Sequence, residues 1–463
     1  MQGLIDALGK PQTQAVLVFL IGYVYICAAK KFRAAALWVG VVVLLLLGVY
    51  GSTTEPSGLL NDVARLARHI NWNVLLILSG AMIVAELFIE SRVPVVLADF
   101  IVKHMRTAGG AALGVCAMSS FLSAFIDNVT TVLIVAPVAL VLAKRMKTSP
   151  VPFIIGLAIS SNLQGTATLI GDPPSLILAS GLNLNFLDFF FFQGKPGIFW
   201  AVQIGAVGSM IILWILFFRK YKGPASEPEK VQPTSWFPTV LLLVMVVSLS
   251  VVSQIDIPNG DKFANGTVCA VAALIGLLWH RSRGNGGTMK LFSLVDFETV
   301  ALLAAIFSLT FALERTGFIA NVAEWIGSVV GMNTFLTFTI IVWMSVALSA
   351  VIDNIPYTAV MLPTVLGIAD RIKGISPELV ADVGRVVPQT LTSTHFLFAF
   401  GLLIGACLGG NISPVGAAAN IVGVGLLRKE GHDVRFREFV KMGLPFTIAA
   451  TIPAYAFIWW LWG

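Results

Sequence analysis

Long apolar segments, separated by short polar ones, follow one another along almost the whole chain. A helix of roughly 20 apolar residues crosses a bilayer, and eight segments come close to this length with few charges. A shorter amphipathic segment follows the third span, at residues 93–104. The pattern therefore predicts single transmembrane helices at residues 14–29, 34–51, 72–90 and 198–218, and again at 236–254, 263–279, 297–313 and 440–462.

Two further apolar stretches are too long for one crossing and lack the polar loop that two crossings would need. Residues 109–143 are interrupted only by Asp127-Asn128, and residues 334–369 only by Asp353-Asn354. Irregular backbone at membrane depth is tolerated only where it is buried in protein or lines a wet cavity. Both stretches are therefore predicted to be re-entrant hairpins with the Asp-Asn pair at the tip.

Two other crossings contain an internal break. In residues 150–181 the break runs from Gln164 to Pro174, and glycines followed by a Pro-Pro pair end the first half-helix. Asp172 is placed to cap the second half-helix, because Pro173 suits the first helical position. The second broken helix, residues 395–427, is interrupted from Gly409 to Asn420. These features predict four half-helices whose ends lie inside the membrane.

The chain consists of two similar halves, because Ser123–Thr131 is repeated with few changes as Ser349–Tyr357. Residues 1–218 form the first repeat and residues 236–463 the second, joined by a polar, Pro-rich cytoplasmic linker at 219–235. Each repeat contains five crossings and one hairpin, and the odd number of crossings inverts the second repeat. We predict an all-α polytopic membrane protein with an inverted repeat, about ten transmembrane helices, two re-entrant hairpins and two broken helices.

Composition and charge agree with this class. The chain is 57% hydrophobic and only 12% charged, which excludes a soluble globular protein. Lysines and arginines concentrate in short loops, which places the N-terminus outside the cell (inner) membrane, and no nucleic-acid partner is expected. The first residues lack a cleavage site, so we expect no cleavable signal peptide. Four scattered cysteines give no disulfide framework, and neither a metal site nor a cofactor is expected.

The four interruptions carry the chemistry expected of a binding site. An ionised carboxylate within a membrane is costly and usually marks an ion or substrate path, so Asp127 and Asp353 are candidates for proton coupling. None of the four motifs contains a lysine or an arginine, which favours a cation or a small neutral polyhydroxyl solute. The candidate binding residues are Asp127, Asn128, Thr130, Thr131, Asn162, Gly165, Thr166, Thr168, Asp353, Asn354, Asn411, Ser413 and Asn420.

Structural interpretations remain open for several of these polar residues. Asp127 and Asp353 could serve simply as caps of the helices that follow them, without a role in transport. The prolines after Asp172 fully explain Asp172 as a helix cap. Glu86, within the third span, suits either a packed carboxylate or a proton relay. His395, at the start of the second broken helix, is interpreted as a boundary residue, with a proton shuttle as the alternative.

The motifs resemble those of the ion transporter superfamily, in the branch of ArsB-type arsenite permeases, P-protein-like permeases and sodium/proton antiporters of the NhaD type. The resemblance rests on SAFIDNVTTVLIVAP, SNLQGTATLIGDPPS, SAVIDNIPYTAVMLP and GGNISPVGAAANIVGVG, in this order. It implies an elevator-type carrier in which the tips and breaks form the substrate site. The remaining spans would form a scaffold that makes a homodimer. Ser175 stands where the family commonly has asparagine.

The function expected from the resemblance is efflux of arsenite or antimonite by proton antiport, a secondary active transport and not an enzymatic activity. A sodium/proton antiporter is the alternative, because carboxylate and hydroxyl oxygens suit a hard cation. A dicarboxylate carrier is disfavoured by the aspartates at the tips, and a channel by tips that meet within an inverted repeat. The partners expected are a small inorganic solute, protons and membrane lipid. The sequence contains no Walker-type loop, so any ATPase would be a separate soluble subunit.

Overall fold

A computed structural model of the protein describes residues 9–28, 32–51, 58–223, 231–255, 263–283, 296–330, 333–374 and 391–463. Within these ranges the chain is almost entirely helical. Five helices are long and apolar enough to cross a membrane, and further apolar helices of 10–17 residues accompany them. The protein is thus an all-α polytopic membrane protein, as the sequence predicted.

In the described residues, the first half contains ten α-helices and a two-stranded hairpin. The strands β1 (Phe191–Phe192) and β2 (Lys195–Pro196) pair antiparallel. A π-helical turn, Trp214–Phe218, extends the last helix. The helices are α1 Pro11–Ala28, α2 Arg33–Leu46, α3 Leu59–His69, α4 Trp72–Glu90, α5 Val93–His104, α6 Ala108–Ser123, α7 Asn128–Arg145, α8 Val151–Gly165, α9 Pro173–Leu182 and α10 Ile198–Leu213.

The second half contributes nine helices to the described part of the chain. A short 3-10 turn, Gly410–Ile412, follows the seventh of them. The helices are α11 Phe237–Val252, α12 Ala264–Ser282, α13 Phe297–Arg315, α14 Phe318–Val330, α15 Thr334–Ser349, α16 Asn354–Ile372, α17 Ser393–Gly409, α18 Ala418–Lys429 and α19 Phe436–Trp462.

A pair of helices lies at each predicted hairpin and at each predicted broken helix, with bounds close to those expected. The hairpins are α6–α7 and α15–α16, and the broken helices are α8–α9 and α17–α18. The amphipathic segment at 93–104 is α5. Residues 224–230 of the predicted linker lie outside the described residues. Just before them, the carbonyl oxygens of Tyr221 and Gly223 accept hydrogen bonds from the first backbone N–H groups of α6.

Helix α3 was not predicted, because its few apolar residues alternate with charged ones. It turns its charged side inward: Arg65 Nη1 donates to Asp62 Oδ1 at 3.0 Å and to the Tyr50 carbonyl oxygen at 3.4 Å. Leu60 is instead exposed. Such an arrangement inverts the usual amphipathic pattern of a soluble protein and suits an apolar surrounding.

The helices pack as two bundles. The crossing bundle consists of α1–α4 and α11–α13, and its most extensive contact joins α4 to α12. The hairpin bundle consists of α6–α10 and α15–α19. The final helices α10 and α19 belong to the hairpin bundle, so the expectation that all remaining spans form a separate scaffold is wrong for these two.

Small residues explain the closest contacts within each bundle. A Cβ at Gly80 of α4 would lie 2.6 Å from the Cys269 carbonyl oxygen of α12. A Cβ at Gly205 of α10 would lie 2.6 Å from the Ala450 carbonyl oxygen of α19. Glycine at these positions lets the helix backbones approach closely, as is common between helices in membranes.

Candidate functional site

Each hairpin tip is closed by its aspartate. Asp127 Oδ2 accepts a hydrogen bond from the Thr130 N–H at 3.0 Å, and Thr131 Oγ1 donates to the Asp127 carbonyl oxygen at 3.0 Å. Asp353 Oδ1 accepts from the Ile355 N–H at 3.1 Å. Both aspartates therefore cap the second helix of their hairpin. In Asp353 this capping uses one carboxylate oxygen and leaves Oδ2 for another contact, whereas Asp127 also interacts with the Thr130 side chain.

Each break is closed by two glycines six positions apart. A Cβ at Gly171 would overlap the Gly165 carbonyl oxygen and lie 2.9 Å from the carbonyl carbon. A Cβ at Gly416 would lie 2.7 Å from the Gly410 carbonyl oxygen. The two breaks thus share one backbone arrangement, although the helices that follow them differ at the N-cap.

The N-caps after the two breaks are an aspartate and an alanine. Asp172 caps α9 by accepting from the Ser175 N–H at 3.1 Å. Ala417 occupies the corresponding position before α18 and has no capping side chain. The first break is entirely buried, whereas Val415 and Ala418 in the second are exposed. The first break therefore carries a carboxylate in a protected position, and the second offers free N–H groups at an accessible helix end.

A chain of three buried amides ties the first hairpin tip to both breaks. Asn128 Nδ2 donates to Asn162 Oδ1 at 2.9 Å. Asn162 Nδ2 then donates to Asn411 Oδ1 and to the Cys407 carbonyl oxygen, each at 3.0 Å. Ser161 Oγ supports the tip by donating to the Asn128 carbonyl oxygen at 3.1 Å. The structure thus brings residues from both halves of the sequence together at one point.

Other predicted site residues hold the local backbone. Thr168 Oγ1 donates to the Ala124 carbonyl oxygen of the first tip. Ser413 Oγ accepts from the N–H groups of Val415 and Gly416 at 3.2 and 3.1 Å. Asn420 Nδ2 donates to the Gly410 and Ser413 carbonyl oxygens, both at 2.9 Å. These contacts explain why hydroxyl and amide side chains occur here even before a ligand is considered.

The side chains with spare polar atoms lie around Cys407. The thiol of Cys407 is beside Thr166, Asp172 and Asn354. Among the described residues, Thr166 Oγ1, Asn411 Nδ2 and Asp172 Oδ2 are buried without a hydrogen-bond partner. Buried polar groups are normally paired, so unpaired atoms that cluster in this way mark a place for a ligand or ion. Asn354 joins the second tip to this centre.

The two tip aspartates face the crossing bundle at different places. Asp127 lines a narrow cleft between the first tip, the first break and α4. Asp127 and Asp172 are the only charged side chains that line it. The lining residues are Leu78, Ala81, Met82, Ala85, Phe125, Ile126, Asp127, Ile170, Gly171, Asp172 and Pro173.

Asp353 instead meets a cation of the crossing bundle. Its Oδ2 lies 3.6 Å from Arg33 Nη1, and the Arg33 N–H donates to Glu298 Oε1 at 3.1 Å. None of the four motifs contains a basic residue, but Arg33, which lies far from them in sequence, approaches the second tip. Asn71 of α4 makes a second contact between the bundles, with its amide Nδ2 donating to Ser180 Oγ of α9.

His395 and Glu86 have distinct surroundings. His395 is fully buried, and its Nε2 lies 2.9 Å from Asp370 Oδ1 of α16. The Thr392 N–H donates to His395 Nδ1 at 3.1 Å, so Nδ1 carries no proton and Nε2 donates to Asp370. This pair joins the second hairpin to α17, away from the cleft lining. Glu86 is half-buried on α4, next to Ala85 of the cleft.

Sequence reasoning missed two parts of this arrangement. Arg33 was interpreted only as a loop charge that sets orientation. Asp172 was interpreted only as a cap, although the Gly-Asp-Pro-Pro run within a membrane span was a usable signal.

Comparisons with known proteins agree with the fold. The profile of the citrate transporter family, CitMHS, matches residues 23–384. An uncharacterized transporter of Mycobacterium tuberculosis is 28% identical over 96% of this chain and 97% of its own length. The human P protein is 26% identical over 95% of this chain, which corresponds to 61% of that protein.

A solved structure gives the same result at the level of fold. The YdaH transporter of Alcanivorax borkumensis superposes with a TM-score of 0.57 at 13% identity, covering 97% of both chains. The match to more than half of the chain, together with relatives named as transporters, settles the broad class. The protein is a multi-pass membrane transporter and belongs to the CitMHS citrate transporter family of the ion transporter superfamily.

Proposed function

We propose that the protein is a proton-coupled secondary carrier that exports arsenite or antimonite. The observation that carries the proposal is the cleft at the first hairpin tip, which is lined by two carboxylates and by no cationic side chain. A buried chain of amides begins at the same tip with Asn128, the residue after Asp127. The cleft lies between the two bundles, at the place where a solute could be enclosed or released.

The chemistry of the cluster supports a small uncharged hydroxide. Arsenite and antimonite are uncharged at neutral pH, and their hydroxyl groups both donate and accept hydrogen bonds. Thr166 Oγ1 and Asn411 Nδ2 are unpaired among the described residues and could serve such groups. The cleft is narrow, with free space for about one water-sized group, which favours a solute of few atoms over a large one.

Coupling is proposed to run through Asp127 and Asp353. Each carboxylate sits at a hairpin tip and faces the crossing bundle. A carboxylate in poorly hydrated surroundings binds a proton readily and releases it when a cation or water approaches. The protonation of the tips could therefore follow the exchange of solute and proton.

Alternating access is proposed to arise from movement of the hairpin bundle along the crossing bundle. Contacts between the bundles are sparse compared with those inside each bundle. Two of them, Arg33 with Asp353 and Asn71 with Ser180, are polar and easily exchanged for others. The proposal includes an inverted repeat, an N-terminus outside the inner membrane and a homodimer formed through the crossing bundle.

Transport by the purified protein in proteoliposomes tests this proposal. Liposomes with an acidic interior should accumulate arsenite faster than liposomes without a pH gradient, because antiport moves the solute toward the acidic side. Asp127→Asn and Asp353→Asn keep the capping oxygen but cannot titrate, so at least one should remove the gradient dependence.

The control variant is Asp433→Asn, because Asp433 is exposed and pairs only with the exposed Arg428. It should transport like the wild type. The proposal fails if neither arsenite nor antimonite is transported. The coupling role of the tips fails if both single variants and the double variant keep the wild-type dependence on pH.

Citrate is a second candidate, favoured by the family name and by the uncapped N-terminus of α18, which offers free N–H groups to a carboxylate. Since Asp127 and Asp172 would repel a free anion, citrate would have to enter with a cation. Sodium/proton antiport is the remaining alternative. The same liposomes, given citrate with and without a divalent cation, or sodium alone, distinguish the three.

A further inference from the structure

We infer that Asp172 and Thr166, in the first break, form a binding site for a monovalent coupling cation, either a proton or Na⁺. This site deepens the proposed function, because it supplies a coupling group separate from the hairpin tips. It also stands on its own geometry, so it can be tested without a transported solute.

Capping explains only half of the Asp172 side chain. Oδ1 accepts from the Ser175 N–H, while Oδ2 is buried and, among the described residues, has no donor stronger than the Cys407 thiol. The second half of the molecule provides an internal comparison. There, Ala417 begins α18 after a break closed by the same glycine pair, so the backbone does not require a carboxylate. Something other than capping therefore accounts for an aspartate at this position.

A buried carboxylate oxygen without a strong donor is unfavourable unless a proton or a cation neutralises it. Asp172 is only 2% exposed, and no lysine or arginine lines the cleft beside it. The polar neighbours are the carboxylate of Asp127 and the thiol of Cys407, which is a weak donor. None of these groups supplies a positive charge, so the site has room for one.

The neighbouring oxygen atoms suit a hard cation. Thr166 is fully buried and its Oγ1 has no partner in the described chain. Gly165 leaves space for the carboxylate, because a Cβ there would lie 3.2 Å from Asp172 Oδ2. The described residues contain no cluster of three His, Cys, Asp or Glu side chains able to hold a metal ion. Hydroxyl and carboxylate oxygens without such a cluster favour Na⁺ or H⁺ over a transition metal.

The site also has a route to the outside of the hairpin bundle. Asp172 lines the same cleft as Asp127, and the opposite wall is the apolar face of α4. Glu86 is the acidic residue next to that wall, half-buried on α4. A cation that enters the cleft would therefore meet Asp127 first or together with Asp172.

The test is the thermal stability of the full-length purified protein in detergent. It is measured over a range of NaCl concentrations, with choline chloride at matched ionic strength as the control, and separately over a range of pH. A bound cation stabilises the folded state by mass action. If the ion is Na⁺, NaCl should raise the unfolding midpoint and choline chloride should not. If the ion is a proton, NaCl has no specific effect and the midpoint rises as the pH falls.

Asp172→Asn keeps the capping acceptor and the shape of the side chain, so it should fold. It should weaken the apparent affinity for Na⁺ by roughly tenfold or more, or remove the pH response attributed to this site. Asp433→Asn, which alters an exposed carboxylate that pairs with the exposed Arg428, is the control and should respond like the wild type.

The inference is overturned if Asp172→Asn shows the wild-type response to both NaCl and pH, or if the wild type responds to neither. Because the readout is binding and not transport, these outcomes are independent of whether arsenite is the solute. Failure of arsenite transport with an intact Asp172-dependent response would remove the proposed substrate and leave the cation site in place.

Discussion

Replacing Asn162 with alanine should strongly destabilise the hairpin bundle, because three buried hydrogen bonds end on this one side chain. The change would leave Asn128 Nδ2 without its acceptor, and Asn411 Oδ1 and the Cys407 carbonyl oxygen without their donor. Each buried polar group left unpaired costs roughly 1–3 kcal/mol, so the three together cost about 3–5 kcal/mol after some relaxation or entry of water. This is a large fraction of the stability of a typical protein domain.

A second substitution separates the lost hydrogen bonds from the lost volume. Asn162→Asp keeps an acceptor for Asn128 but places an oxygen against two acceptors, Asn411 Oδ1 and the Cys407 carbonyl oxygen. It should therefore destabilise the protein about as much as Asn162→Ala, although the side chain keeps its size.

The assay is the unfolding midpoint of the purified protein in detergent, followed by fluorescence and by recovery of the monodisperse fraction. Thr451→Val is the control, because Thr451 is fully buried and its hydroxyl has no hydrogen-bond partner among the described residues. It should be neutral or slightly stabilising. If both Asn162 variants unfold at the wild-type midpoint, the amide chain does not tie the tip to the breaks, and the reasoning is refuted.

Three further predictions concern the glycine pair, the contact between the bundles and a half-buried carboxyl in a loop. Gly171→Ala should destabilise the protein by roughly 1–3 kcal/mol, because the added Cβ would overlap the backbone at Gly165. Gly425→Ala is the control and should be tolerated, because its Cβ would meet nothing within 4 Å. Equal unfolding midpoints for the two variants would contradict the close backbone approach. Arg33→Ala should change the free energy of unfolding by less than about 1 kcal/mol, because the ion pair of Arg33 with Asp353 is partly exposed. It should nevertheless alter the transport rate. An unchanged rate would show that this ion pair has no part in the transport cycle. Asp188 lies outside the spanning helices, and burial raises its pKa to about 6. Its stabilising contribution should therefore be lost as the pH rises through that value. Asp188→Asn should flatten the curve of stability against pH there, and an unchanged curve would argue against the raised pKa.

The hairpins and breaks could be predicted because local chemistry determines them. An apolar run too long for one crossing, interrupted by a single Asp-Asn pair, has few solutions in a membrane, and α6–α7 is one of them. The glycines and the adjacent Pro-Pro pair of the first break favour the end of one helix and the start of the next, so α8 ends and α9 begins close to the expected residues.

The remaining features depend on contacts that are distant in sequence. Arg33 meets Asp353 only after α2 and the second hairpin have been brought together. Helix α3 has a buried charged face because Asp62 and Arg65 pair with each other. The assignment of α10 and α19 to the hairpin bundle follows from their mutual packing, which apolarity alone does not encode. Such features need the tertiary arrangement before they can be inferred.

The claim that the hairpin bundle moves against the crossing bundle is tested most directly by fixing the two together. Asn71 of α4 and Ser180 of α9 are hydrogen-bonded neighbours on opposite bundles, and neither belongs to the candidate site. In the Asn71→Cys, Ser180→Cys double variant, oxidation should form a disulfide that stops transport in proteoliposomes, and a reductant should restore it. The single variants should be insensitive to both treatments. Transport by the fully oxidised double variant at the rate of the reduced protein would contradict the account.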